Sequence, residues 1–226
     1  VVMMVLDGRQ EPFSAGGSLE EVAQIMLDAG CVIALNLDGG GSSTFVSKGE
    51  GSDDLSVVNR PSDGFQRSVS SSLVVVSTAA VSKEFSYASI SSEYDYMTAL
   101  ATMEMSAIGV SASGHSAQIP ENAVWQTSNE GVAIMDGNVV IPTGRGTVDV
   151  QLTINGRVVG SKTIHVVEPD TVAFVNEVTN VIYGQPTELP VKATYNGNLV
   201  AFNPEWEVFL MVDPENAAYF EGTSFI

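Results

Sequence analysis

The chain has 226 residues, 44% of them hydrophobic, enough for a sizeable core and for two or three compact units. Nine basic residues against 27 acidic ones give a formal charge of -18, which argues against general binding to nucleic acid or to anionic membrane surfaces. A single cysteine, Cys31, leaves neither a disulfide framework nor a cysteine-rich zinc site within the chain, and no apolar run approaches the roughly 18 residues of a membrane-spanning helix.

VVMMVL at 1–6 is apolar and β-branched and predicts a strand. It carries no initiator Met and no basic leader region, so the sequence reads as an internal piece of a longer protein whose export signal lies elsewhere. SLEE at 18–21 has the form of a capping box, and Leu19, Val22, Ala23, Met26 and Ala29 follow at helical spacing, with Gly30 as the stop. Residues 32–37 predict a buried strand, STFVS at 43–47 another, and RSVSSSLVVVS at 67–77 a closing one. This first unit, 1–80, is mixed α and β.

From about residue 81 helical periodicity fades, and short alternating runs are separated by turn signals. AVWQTSN, GVAIMDGNVVIP, GTVDVQLTING and KTIHVVEP are the clearest strand candidates and predict an all-β sandwich over 81–168. EPD at 168–170 marks a boundary, after which TVAFVNEV, ELPVKATYNG and EWEVFLMV begin a second β module over 169–226, expected to be truncated.

Charge divides unevenly between these parts. Residues 1–80 hold 4 basic and 10 acidic residues, net -6, and residues 81–226 hold 5 and 17, net -12. Three of the five arginines, Arg9, Arg60 and Arg67, lie in the first unit. The groups suited to forked anion contacts therefore concentrate where the turns are most unusual.

Three stretches there carry candidate chemistry. In VLDGRQ, Asp7 and Arg9 lie two apart, which puts a carboxylate and a guanidinium on one face of a continuing strand; a strand-end turn with a local ion pair explains the same letters. In NLDGGGSST, Asp38 is followed by Gly39, Gly40 and Gly41 and by the hydroxyls of Ser42, Ser43 and Thr44. Three glycines let backbone amides approach a ligand without Cβ interference, although a glycine-rich β turn is the plainer alternative. The loop is neither a Walker loop nor a dinucleotide fingerprint, because no Gly-Lys-Ser/Thr follows and the spacing differs. In VVNRPSDGFQRSV, Asn59, Arg60, Asp63 and Arg67 precede an apolar run, and a solvated loop with Pro and Asp-Gly punctuation is the competing reading.

Taken in order, LDGRQ, a capped helix, ALNLDGGGSST, VVNRPSDG and a final LVVV resemble the C-terminal half of the phosphodiester glycosidase domain, the family of the lysosomal uncovering enzyme and of bacterial exopolysaccharide-associated proteins. The resemblance covers residues 1 to about 77. It implies hydrolysis of a sugar-1-phosphodiester, releasing the sugar and leaving a phosphomonoester. Matched position by position, it implies catalytic roles for Asp7, Asp38 and Asp63 and substrate-binding roles for Arg9, Gly39, Gly40, Ser42, Asn59 and Arg67. Arginines would neutralise the diester, and a carboxylate would act as base or nucleophile at the anomeric carbon. Which carboxylate does which job stays open, as does a divalent cation, since no His or Cys cluster signals a metal.

The family's N-terminal half has no counterpart ahead of Val1. Another segment or chain is expected to supply it, and residues 1–226 alone are expected to show little turnover. VWQTSNEGVAIMDGNVVIPTGRGTVDVQLTINGRVVGSKTIHVV resembles bacterial immunoglobulin-like domains of cell-surface proteins, which implies a secreted, cell-surface setting, while the glycosidase resemblance implies a sugar phosphodiester or phosphate-containing glycan as partner. A non-catalytic surface component, or a carbohydrate-binding protein built on the same modules, is the alternative.

The remaining residues read as structural. His115 belongs to a loop and His165 to a strand, and Cys31 is a small core residue. TALATMEM at 98–105 belongs to a buried edge, and Trp125 and Trp206 are expected to anchor cores.

Overall fold

A computed structural model describes residues 1–176, 179–180, 185, 187–208, 210, 220–221 and 224–225. The chain divides into two units, Val1–Val81 with Ser113–His115, and Ser82–Ala112 with Ser116–Ile226. β-strands dominate the described residues.

In the first unit the helix α1 spans Leu19–Asp28. Its start follows from the capping box: Ser18 Oγ accepts from the Glu21 N–H at 3.2 Å, and Glu21 Oε2 accepts from the Ser18 N–H at 2.7 Å. The backbone and hydroxyl of Ser18 favour the ionised carboxylate and hold Glu21 below its ordinary pKa. At the other end Gly30 takes φ 82°, its N–H bonds the Leu27 carbonyl at 2.9 Å, and the Cys31 N–H bonds Met26 at 3.0 Å. That pair of bonds is a Schellman stop, and the positive φ is why glycine occupies the position. A short antiparallel pair follows, β1 (Val46–Lys48) with β2 (Leu55–Val57), in the register Val46 to Val57.

The other strands expected in this unit do not form. Residues 1–6, 32–37 and 67–77 lie outside any strand, and Val32 and Ile33 are 96% and 87% exposed. A strand takes its hydrogen bonds from a neighbour, and among the described residues none of these runs has a ladder partner. No residue of α1 is buried either, so the amphipathic pattern of this unit marks faces that it leaves open.

The second unit contains β3 (Phe85–Ser92), β4 (Tyr96–Met97), β5 (Met103–Ser111), β6 (Ser116–Ala117), β7 (Ala123–Thr127), β8 (Ala133–Asp136), β9 (Val139–Pro142), β10 (Gly146–Ile154) and β11 (Arg157–Val166). It continues with β12 (Thr171–Phe174), β13 (Thr187–Glu188), β14 (Val191–Tyr195), β15 (Asn198–Ala201), the short helix α2 (Pro204–Glu207), β16 (Phe220–Glu221) and β17 (Ser224–Phe225). Seven strands form one sheet in the order β12-β14-β15-β4-β11-β10-β7, and β3-β5-β9-β8 form another, with β6 beside β5. The seven-stranded sheet takes strands from both sides of residue 168 because the short β4 lies parallel to both β11 and β15.

Alternation along the strands builds the core. Val148, Val150 and Leu152 of β10 and Ile164 and Val166 of β11 are buried, and so are Met97, Met103, Met105 and Val140. Trp125 and Tyr94 pack against this cluster, half-buried. The expected burial of the 98–105 segment is met by Thr98, Ala101, Met103 and Met105. Gly160 of β11 faces the Ala88 carbonyl of β3 so closely that a Cβ would overlap it, which explains a glycine inside a long strand.

Two expectations here need correction. EWEV was expected in a strand, yet Asn203 caps a helical turn through a bond to the Glu205 N–H at 3.2 Å, and Pro204 supplies the first helical position. Trp206 on that turn is 77% exposed and anchors no core. Residues 209, 211 and 212 of EWEVFLMV, and 177 and 178 of TVAFVNEV, lie outside the described residues.

Candidate functional site

The three stretches singled out in the first unit are tied together by one side chain. Asn59 donates from Nδ2 to Asp7 Oδ1 at 3.0 Å and to the Ser43 carbonyl at 2.9 Å, and its Oδ1 accepts from the Phe45 N–H at 2.6 Å. Both amide hydrogens and the carbonyl of this half-buried side chain are thereby used. LDGRQ, the glycine loop and its own segment meet at this residue.

Asp7 is held from every side. Its Oδ2 accepts from the Arg60 N–H at 2.8 Å, and its backbone carbonyl accepts from Ser14 Oγ at 2.7 Å. Gln10 strengthens the same junction, donating from Nε2 to the Arg60 carbonyl at 2.7 Å. The Arg60 guanidinium lies 4.9 Å from the centre of the Phe13 ring. With one fixed donor on each carboxylate oxygen, Asp7 is arranged as an anchor for the 59–60 backbone.

A second junction joins the glycine loop to the third stretch. The Asp63 carboxylate lies against Gly41 where a Cβ would stand, so any side chain at 41 would require Asp63 to move. Asp63 is ion-paired with Arg67 one helical-spaced step along, an exposed arginine beside a half-buried acid. The loop itself is closed by the Ser43 N–H bonding the Gly40 carbonyl at 3.0 Å, with Gly40 at φ 126°. Thr44 Oγ1 donates to the Ser42 carbonyl at 3.2 Å.

Asp38 differs from the other two acids. It is exposed, at the entry to the glycine loop beside the equally exposed Gly39 and Gly40, and it has no hydrogen bond or ion pair among the described residues. Arg9 is also exposed, and its backbone takes φ 58°, a left-handed conformation that a non-glycine residue adopts uncommonly. Its N–H bonds the Ala15 carbonyl at 3.3 Å, closing the turn over residues 10–14.

Gln10, Ser14, Ser43 and Gly41 take part in these junctions without having been singled out for a role from the sequence. Gln10, Gly41 and Ser43 stand inside the quoted motifs; Ser14 carries no signal beyond a hydroxyl near a turn. His115 lies within the first unit with Nδ1 2.6 Å from Asp53 Oδ1 and 3.1 Å from Lys48 Nζ. His165 stands on β11, with Nδ1 3.0 Å from Thr147 Oγ1 and its ring stacked on Tyr96. Among the described residues no group of three or more His, Cys, Asp or Glu side chains is placed to hold a metal ion, and no helix is long and apolar enough to cross a membrane.

A search of curated proteins finds no match to the chain. Residues 1–76, which contain all three stretches and both junctions, match the family model for phosphodiester glycosidase.

Proposed function

We propose that the first unit carries the site of a phosphodiester glycosidase that hydrolyses a sugar-1-phosphodiester. The observation that carries this reading is the junction at Asn59, which draws LDGRQ, the glycine loop and the NRPSDG segment to one place inside the matched region.

In this mechanism Asp38, the acid without a partner among the described residues, activates water or attacks at the anomeric carbon. The bond between that carbon and the phosphoester oxygen breaks. Oxygen from water ends on the sugar, and the phosphate leaves as a monoester on the other partner. Arg67 and Arg9 neutralise the charge on the phosphate, and exposed amides of Gly39 and Gly40 with the Ser42 hydroxyl supply further donors. Asp63 orients Arg67, while Asp7 and Asn59 hold the loops in register. In this reading the substrate is a phosphate-containing glycan, the setting is a secreted cell-surface protein, and another segment or chain completes the site.

The test is release of free sugar from defined sugar-1-phosphodiesters by the full-length natural polypeptide that contains this sequence. Turnover that Asp38→Asn abolishes supports the reading. A folded protein that cleaves none of a broad diester panel contradicts it.

A further inference from the structure

The strands β4 and β15 run parallel and adjacent, so the segments that follow them leave the same end of the sheet. One last bond, from the Thr98 N–H to the Ala201 carbonyl at 2.8 Å, holds them together before they part. Where they diverge, an open pocket of about 330 Å³ forms, at the small end of the range of ligand sites. Tyr94, Thr102, Ala201, Phe202, Asn203 and Pro204 are among its walls.

The lining has a definite chemistry. Tyr94 and Phe202 offer aromatic surface, and the Tyr94 hydroxyl is turned to the Glu93 carboxylate. Asn203 uses its Oδ1 on the Glu205 N–H, which leaves its two Nδ2 hydrogens without a partner among the described residues. The Thr102 hydroxyl is unpartnered in the same sense. Among the described residues no lysine or arginine lines the pocket, and Glu207, which is bonded to Asn203 of the lining, has one oxygen committed to Thr98 Oγ1 at 2.7 Å and to the Asn203 N–H at 2.6 Å. An anion would find no countercharge here, and the part of the chain from residue 81 onward carries net charge -12.

Two residues past Pro204, on the same short turn, stands Trp206, largely exposed. A pocket with aromatic walls and spare amide and hydroxyl donors, with an exposed indole on the turn that leads away from it, suits one ligand class, because a sugar ring has an apolar face to stack and a rim of hydroxyls to bond. We propose that the pocket between the ends of β4 and β15, with Trp206, is a binding site for an uncharged glycan, separate from the phosphate chemistry of the first unit. It holds the protein on a polysaccharide, and it does not depend on the first unit being an enzyme.

Calorimetric titration of the whole chain with cellohexaose, chitohexaose and mannohexaose tests this. At least one hexasaccharide binds, and both Trp206→Ala and Thr102→Trp, the second filling the pocket from an exposed position, weaken that binding at least tenfold while circular dichroism and the melting temperature stay unchanged. If none of the three binds, or if either folded variant binds as well as the unsubstituted chain, the proposal is wrong.

Discussion

Asn59 donates to Asp7 across 52 positions of sequence at 3.0 Å, and the same amide group donates to the Ser43 carbonyl. This contact decides how the first unit is organised: the acid is an anchor and the asparagine is the pin. Asn59→Ala removes three hydrogen bonds and leaves the Phe45 N–H and an oxygen of Asp7 to find other partners. A loss of about 2 to 3 kcal/mol in the stability of the first unit is expected, since each such bond contributes roughly 1 kcal/mol. Chemical denaturation followed by a probe placed in the first unit measures it, and a change below about 0.5 kcal/mol, the range of ordinary surface substitutions, would show that Asn59 is not the pin.

The contact between Gly41 and Asp63 gives a sharper steric prediction. Gly41→Ala places a methyl group where the Asp63 carboxylate stands, so Asp63 must swing away and its pairing with Arg67 is lost. Binding of a sugar phosphate is expected to weaken by about tenfold, the equivalent of one charge-assisted contact of about 1.4 kcal/mol. Gly39→Ala meets only Ser43 Oγ at 3.6 Å, an ordinary contact, and should be tolerated far better. Equal affinities for the two variants in a calorimetric titration would refute this.

At the start of α1, Ser18→Ala is expected to cost about 1 kcal/mol of helix stability. The acid dependence has a definite sign. Glu21 is held below its ordinary value, so its contribution is complete above the unfolded carboxylate range and is lost as pH falls through the lowered folded value. Hydrogen-exchange protection of the α1 amides, taken relative to the intrinsic rate at each pH, should therefore fall at the acid end of a titration, and Glu21→Gln should remove that dependence. An unchanged acid profile in Glu21→Gln would contradict the assignment.

In the second unit, Gly160→Ala forces a methyl group onto the Ala88 carbonyl, between two backbones that have nowhere to retreat. A destabilisation of about 1 to 3 kcal/mol is expected, visible as a lowered unfolding midpoint with an unchanged denaturant slope. Gly156→Ala also destabilises, through its φ of 77°, but without a steric neighbour. An unfolding midpoint for Gly160→Ala equal to that of the unsubstituted chain would contradict the close approach.

The capping box at Ser18 and the stop at Gly30 were legible because a helix end is specified by residues within one turn of each other. Strands β7 to β11 were legible for a similar reason, since alternation and turn residues mark them locally. Residues 32–37 show the limit: their composition demands a covered strand, but the hydrogen bonds of a strand belong to its neighbour, and the pattern names no neighbour. Trp206 was misjudged because an indole is as apolar in a core as on a surface, and because the turn that Asn203 caps and Pro204 begins was read as part of a strand. In the site, the motif letters marked where chemistry concentrates. That Asn59 uses both amide hydrogens and its carbonyl on the protein, and that Asp38 has no bond among the described residues, emerges only from contacts between distant segments.

The most direct test of the central claim is an assay of sugar release from a sugar-1-phosphodiester by the full-length natural polypeptide, run beside its Asp38→Asn and Asp7→Asn variants. The account predicts turnover in the unsubstituted protein, a loss of at least a hundredfold in kcat for Asp38→Asn with the fold and sugar-phosphate binding retained, and a loss of stability for Asp7→Asn. Turnover that persists in Asp38→Asn, or no release from any diester by a folded protein, would contradict it.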